Sequence, residues 1–150
     1  MSNAGHAAAV ERVRGVWAAF QRRDWAAARA AMADDLVARW WTSGERFEGA
    51  DAFVGVQAAY PEGWTLHALE VVALADGRVL SLVRVDHPPA GVFFCSSVAR
   101  LHDGLIHEIE EYWATAEPPQ AWRLGRPGHS RFEPSDDPRA PAGRPEAGRP

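Results

Sequence analysis

Arg84, Asp86 and Glu111 are ionisable residues set inside apolar runs, where a purely structural strand would carry Val or Thr. The first two fall in Ser81-Leu-Val-Arg-Val-Asp-His87, the third in Leu105-Ile-His-Glu-Ile-Glu-Glu-Tyr-Trp113. Side chains two apart in an extended chain leave the same face, so Arg84 and Asp86 share one face of a strand. Glu111 shares a face with His107, Ile109 and Trp113. Acids and bases in an apolar interior are costly unless paired, so they are the first place to look for chemistry. If all three enter one cavity, the guanidinium favours ionisation of the nearer carboxyl, and burial raises the pKa of the other. One group then acts as base and the other as acid. Either Asp86 or Glu111 can hold the base role, because a coupled pair titrates as a unit. Two plainer readings stand beside this one. Arg84 and Asp86 can form an ion pair that only knits the sheet. Glu111 can face a partner subunit instead of a pocket.

Other chemistry is poorly supplied. His87 and His107 are candidates to assist proton transfer, but His87 stands before Pro88-Pro89 and reads as a turn residue, and His107 near a turn reads as half exposed. Cys95 lies among Phe93, Phe94 and Ser97 and reads as a small apolar group. The six His residues are scattered, with no HxH or CxxC pair, so no metal is expected. A Gly-rich phosphate loop is missing from the pattern, and no cofactor is expected. Trp40, Trp41, Phe53, Tyr60, Trp64 and Trp113, with Ile109, would line a large aromatic pocket for an apolar small molecule, or fill a plain aromatic core.

The elements that must position these residues follow from periodicity. Val10, Val13, Trp17 and Phe20 give an amphipathic helix over about 6–22. Asp24 caps a second helix, from Trp25 to about Ala33, with Met32 on its apolar side. A short strand covers Leu36 to Trp41, and a third helix covers Ala50 to Ala59. Four strands then follow: Trp64 to Ala75, Arg78 to His87, Val92 to Leu101, and Leu105 to Trp113. Asp76-Gly77 and Asp103-Gly104 are hairpin turns between them. Alternation slips near Val71-Val72, which reads as a bulge. The order is that of an α+β fold, with helices on one face of a curved antiparallel sheet.

The chain has 150 residues, 47% hydrophobic, with seven Trp, enough for one packed domain. A net charge of −4 lacks the footprint of a nucleic-acid binder. The longest apolar runs fall short of a membrane span, and the first residues lack a signal-peptide pattern. One cysteine excludes an internal disulfide. Together these point to a cytoplasmic protein. Residues 1–5 read as a flexible start and 6–124 as the domain. Residues 125–150, rich in Pro, Gly and Arg with little apolar but Phe132, read as a disordered tail whose deletion leaves the melting temperature nearly unchanged.

The element order and several phrases resemble the SnoaL-like group of the nuclear transport factor 2 (NTF2)-like superfamily. The phrases are Phe20-Gln-Arg-Arg-Asp24-Trp25, Phe47-Glu-Gly49-Ala50, Asp103-Gly104 and Glu111-Tyr112-Trp113. The resemblance spans about residues 6–123. It implies a cone-shaped, cystatin-like fold, three helices closing over a bent, mostly antiparallel sheet around a deep apolar pocket, and a homodimer through the sheet. Within the superfamily, Arg84-Val85-Asp86 and Glu111 are similar to the Arg-x-Asp pair and the second acid of limonene-1,2-epoxide hydrolase. That family's water-positioning Asn has no counterpart here, and Tyr60 is the candidate for its Tyr. No Tyr lies in the first helix, where ketosteroid isomerases carry their donor. Polyketide cyclases of the SnoaL type need one carboxyl in the last strand, and Glu111 fits. The resemblance implies a cofactor-independent acid–base enzyme of the epoxide hydrolase, isomerase or cyclase type, or a non-catalytic ligand-binding or dimerisation module. Convergence of Arg84, Asp86 and Glu111 in one pocket separates the two.

Overall fold

The computed structural model describes residues 2–140. Helix α1 runs Asn3–Gln21, and Ser2 caps it by accepting from the Gly5 amide. Ala9, Val13, Val16, Trp17 and Phe20 form its buried stripe, at the spacing of one helical face. Arg23 takes a left-handed conformation, φ 62°, and turns the chain sharply into the next helix. Asp24 then caps α2, Trp25–Ala30, accepting from the Ala27 amide at 3.0 Å. Helix α3 covers Ala50–Ala59.

Six strands form one sheet: β1 Met32–Trp40, β2 Glu45–Glu48, β3 Thr65–Ala73, β4 Val79–His87, β5 Gly91–His102 and β6 Leu105–Thr115. Their order is β2-β1-β6-β5-β4-β3. β3 to β6 form an antiparallel meander, and β1 pairs antiparallel with β2. β1 joins β6 in parallel, so the sheet is mixed. The three helices cover one face, and their apolar stripes meet Leu36, Ala38, Val79, Val83, Ile106 and Ile109 there. This is the expected architecture of helices on a curved, mostly antiparallel sheet. No helix among the described residues is long and apolar enough to cross a membrane.

Several boundaries differ from expectation. Helix α1 starts at Asn3, so residues 3–5, expected to belong to a flexible start, are helical, because Ser2 supplies a cap. Helix α2 ends at Ala30, and Met32 already belongs to β1, paired with Ile106. The Ala-rich segment has helical propensity, but pairing with β6 overrides it. Strand β2 was not expected. Its Glu-Arg-Phe-Glu sequence suits an edge strand, where charged residues block further pairing. The bulge in β3 lies between Ala68 and Glu70, slightly before Val71-Val72.

The segment read as a disordered tail makes defined contacts over part of its length. A short 3-10 turn, Pro134–Asp136, lies beside the sheet face opposite the helices. There the Pro134 carbonyl accepts from Arg84 Nη1, and Arg139 Nη1 donates to Glu70 at 2.9 Å. The end of the tail, residues 141–150, lies outside the described residues.

Candidate functional site

The inner face of the sheet is set by strict pairing. Ser81 lies opposite Ser97, Ser97 opposite Glu111, and Glu111 beside Trp40 of β1. These four therefore form one row across β4, β5, β6 and β1. Trp17 reaches down from α1 and donates its indole N–H to Ser81 Oγ at 2.9 Å. Trp40 Nε1 donates to Glu111 Oε1, also at 2.9 Å. The row is the polar seam of an otherwise apolar layer.

Above it lies a cavity of about 380 Å³ between the sheet, α1 and α3. Trp17, Phe20, Trp40, Tyr60, Trp64 and Trp113 supply its aromatic walls, and Glu111 contributes to the lining. Glu111 is 1% exposed, and its Oε2 has no partner in good hydrogen-bond geometry. Burial raises the pKa of this carboxyl; Ser97, Trp40, Trp113 and Cys95 around it oppose the rise without reversing it. Cys95, packed beside it, has its thiol pushed up by burial and by the neighbouring Glu111, which favours the neutral thiol over the thiolate.

Arg84 and Asp86 are elsewhere. They are out of step with Ser81 and Val85 by one residue, so they project from the opposite face of β4. Arg84 Nε donates to Asp86 Oδ1 at 2.8 Å, and His67 Nε2 lies 3.5 Å from Asp86 Oδ2. Arg84 is buried, capped by the Pro134 carbonyl. The expected catalytic trio therefore does not meet: Glu111 is in the cavity wall, and the pair is under the tail. The physical reason is the period of a strand, which sends residues 84 and 111 to different faces once the register of β4, β5 and β6 is fixed.

Of the expected substrate-binding residues, Trp40, Tyr60, Trp64 and Trp113 line the cavity. Phe53, Ile109 and Trp41 do not; Trp41 is exposed and stacks on Tyr112. Phe53 is 1% exposed and packs on the Phe20 and Phe47 rings, as core. Ile109 shares the inner face with Glu111 but lies buried beneath the helices. The lining residues that sequence reasoning missed include Trp17, Phe20, Leu66, Val85 and Phe93. Periodicity marks Trp17 and Phe20 as buried, but a core and a cavity wall use the same side chains. His87, expected as a turn residue, belongs to β4. It is buried at the end of β4, with one ring nitrogen 3.1 Å from Tyr60 Oη and the other 3.1 Å from the Glu62 carbonyl. Among the described residues no cluster of His, Cys, Asp and Glu has the makings of a metal site.

The architecture has many counterparts among solved structures. A candidate ketosteroid isomerase from Kribbella flavida DSM 17836 superposes with a TM-score of 0.73 at 18% identity, over 84% of this chain and 92% of that one. The chain has the NTF2-like fold. An NTF2-like protein of unknown function from Burkholderia xenovorans LB400 gives 0.65 at 16% identity, covering 77% and 90% of the two chains. An epoxide hydrolase of the limonene-epoxide-hydrolase-like type from M. tuberculosis gives 0.61 at 21%, covering 72% and 84%. No family model and no curated protein matches the sequence. The NTF2-like fold hosts isomerases and hydrolases alike, so the chemistry must be argued from the site.

Proposed function

We propose that this protein is a cofactor-independent acid–base enzyme of the isomerase or cyclase type, acting on an apolar small molecule with Glu111 as its proton-transfer group. The observation that supports this most directly is a carboxyl, 1% exposed, in the wall of an aromatic cavity, where burial favours its protonated form. A carboxyl whose pKa lies nearer the working pH is better matched to both giving and taking a proton. Isomerisation and cyclisation need one group that removes a proton and returns it to the same substrate. A single carboxyl suffices for that. Hydrolysis of an epoxide by two cooperating carboxyls is less well supported, since Glu111 is the only carboxylate lining the cavity among the described residues. Asp86, which the sequence suggests as a second acid, is on the far face.

A non-catalytic ligand-binding module is the second reading, favoured by the near-complete burial of Glu111. The two are separated by a screen of enones and epoxides with purified protein, followed by Glu111→Gln. Turnover that Glu111→Gln abolishes, with ligand-induced thermal stabilisation retained, supports the enzyme. Binding without turnover across the screen supports the module. The reading also includes a homodimer through the sheet, tested by sedimentation velocity.

A further inference from the structure

The segment Tyr60-Pro61-Glu62-Gly63-Trp64 forms one wall of the cavity, with Tyr60 and Trp64 in the lining. It is held from two sides. Arg23 binds the Glu62 carboxylate with Nε and Nη2 at 2.9 and 3.0 Å. The same guanidinium donates to the Trp64 carbonyl at 2.8 Å and lies 3.4 Å above the Trp64 ring centre. From the sheet side, His87 touches both the Glu62 carbonyl and the Tyr60 hydroxyl. Gly63, at φ +114°, lets the backbone pass close to that imidazole; a Cβ there would meet the ring at 3.4 Å.

These contacts determine which way the hydrogen bonds run. A carbonyl oxygen only accepts, so His87 Nε2 carries the proton it donates to Glu62. In the neutral ring Nδ1 then holds a lone pair and only accepts. Tyr60 must therefore donate its O–H to His87. Its proton is used up, and its oxygen has only lone pairs left.

Resting on the reading of this cavity as a ligand site, we infer that His87 makes Tyr60 a hydrogen-bond acceptor. The cavity then prefers apolar ligands that carry a hydroxyl or N–H donor over ethers or hydrocarbons of the same shape. His87 is a positioning residue here, acting only through Tyr60. An ether oxygen brought to the Tyr60 oxygen would meet lone pairs with lone pairs. A hydroxyl meets a partner.

The test uses naphthalene, 2-naphthol and 2-methoxynaphthalene with the full chain, measured by equilibrium dialysis at pH 8. The parent should hold 2-naphthol about 2- to 10-fold more tightly than the methyl ether, the range of one neutral hydrogen bond. Tyr60→Phe should erase that preference, bringing 2-naphthol and its methyl ether to equal affinity. His87→Leu should free the phenol proton, so that the methyl ether gains affinity and the preference shrinks. Equal affinity of the parent for 2-naphthol and its ether would overturn this inference alone. So would a preference that survives Tyr60→Phe. Failure of all three probes to bind would overturn the cavity reading and this inference with it.

Discussion

Trp40 Nε1 donates to Glu111 Oε1 at 2.9 Å, joining β1 to β6 at the cavity wall across 71 positions of sequence. The bond is the one well-formed partner of a carboxyl that is otherwise enclosed by Ser97, Trp113 and Cys95. It therefore orients Glu111 and, with Ser97, limits how far burial lifts its pKa.

Trp40→Phe keeps the ring in the aromatic cluster with Phe47 and Trp113 but removes the donor. The Glu111 pKa should rise further, because a hydrogen bond that favours the charged form is gone. Leaving a buried acceptor unmade should cost about 1–3 kcal/mol of stability. Carboxyl carbon NMR shifts followed with pH, together with urea unfolding, read both effects. A Glu111 titration that is unmoved or falls would show that the indole does not hold the carboxyl.

Arg84 and Asp86 should matter for stability and not for the cavity. Arg84→Ala leaves Asp86 beside only His67 and strips the tail of its donor. Removing one partner of a buried pair costs about 3–5 kcal/mol, toward the lower end here because Asp86 keeps some contact with water. Affinity for an apolar probe should stay at the parent value. Loss of probe binding by a folded Arg84→Ala protein would bring the outer face back into the site.

The sequence reveals much of this architecture because the local signals agree with one another. The α1 stripe specifies which helix face is buried, and the Asp24 cap and the two Asp-Gly turns each specify a boundary that the fold keeps. Glu111 was legible too, as an acid alternating with Ile109 and Trp113. What alternation along one strand cannot show is the register between strands. Residues 84 and 111 could share a face or not, and only the Ser81–Ser97–Glu111 pairing decides. His87 was read as a turn residue because Pro88-Pro89 follows it. Its role comes from Tyr60 and Glu62, brought beside it by the fold. Residues 134–139 of the tail hydrogen-bond to the sheet through the Pro134 carbonyl and Arg139, and Ala140 beside them is buried; a backbone carbonyl, an arginine and one alanine leave no hydropathy signature.

That contact changes the expectation for truncation. Deleting residues 125–150 removes the Pro134 carbonyl from Arg84 and Arg139 from Glu70. The Arg139–Glu70 pair is half exposed and contributes little. The Arg84 bond involves a charged donor, but water reaches the guanidinium once the tail is gone. The net loss should be about 1 kcal/mol, a few degrees in melting temperature for a domain of this size. Calorimetry of the truncated and full chains measures it. An unchanged melting temperature would mean that the tail contacts add nothing to stability.

The final prediction concerns pH. Glu111 has a folded-state pKa above its ordinary value of 4.5, chiefly through burial. Below that value the group is protonated in both folded and unfolded chains and contributes no pH dependence. As pH rises past 4.5, the unfolded chain loses the proton while the folded chain keeps it. The folded state then binds more protons, so stability falls with rising pH. The fall stops once pH passes the folded-state pKa. Glu111→Gln cannot ionise and should lack this decline. The melting temperature of the variant, relative to the parent, should therefore climb from pH 4.5 upward and then level off. Calorimetric scans from pH 4 to 9 on both proteins give the difference directly, and the other titrating groups largely cancel. The pH at which the difference levels reports the folded pKa, which is also the pH range where Glu111 can serve as acid and base in turn. A flat difference would mean that Glu111 titrates normally in the folded chain, and the acid–base role proposed for it would lose its basis.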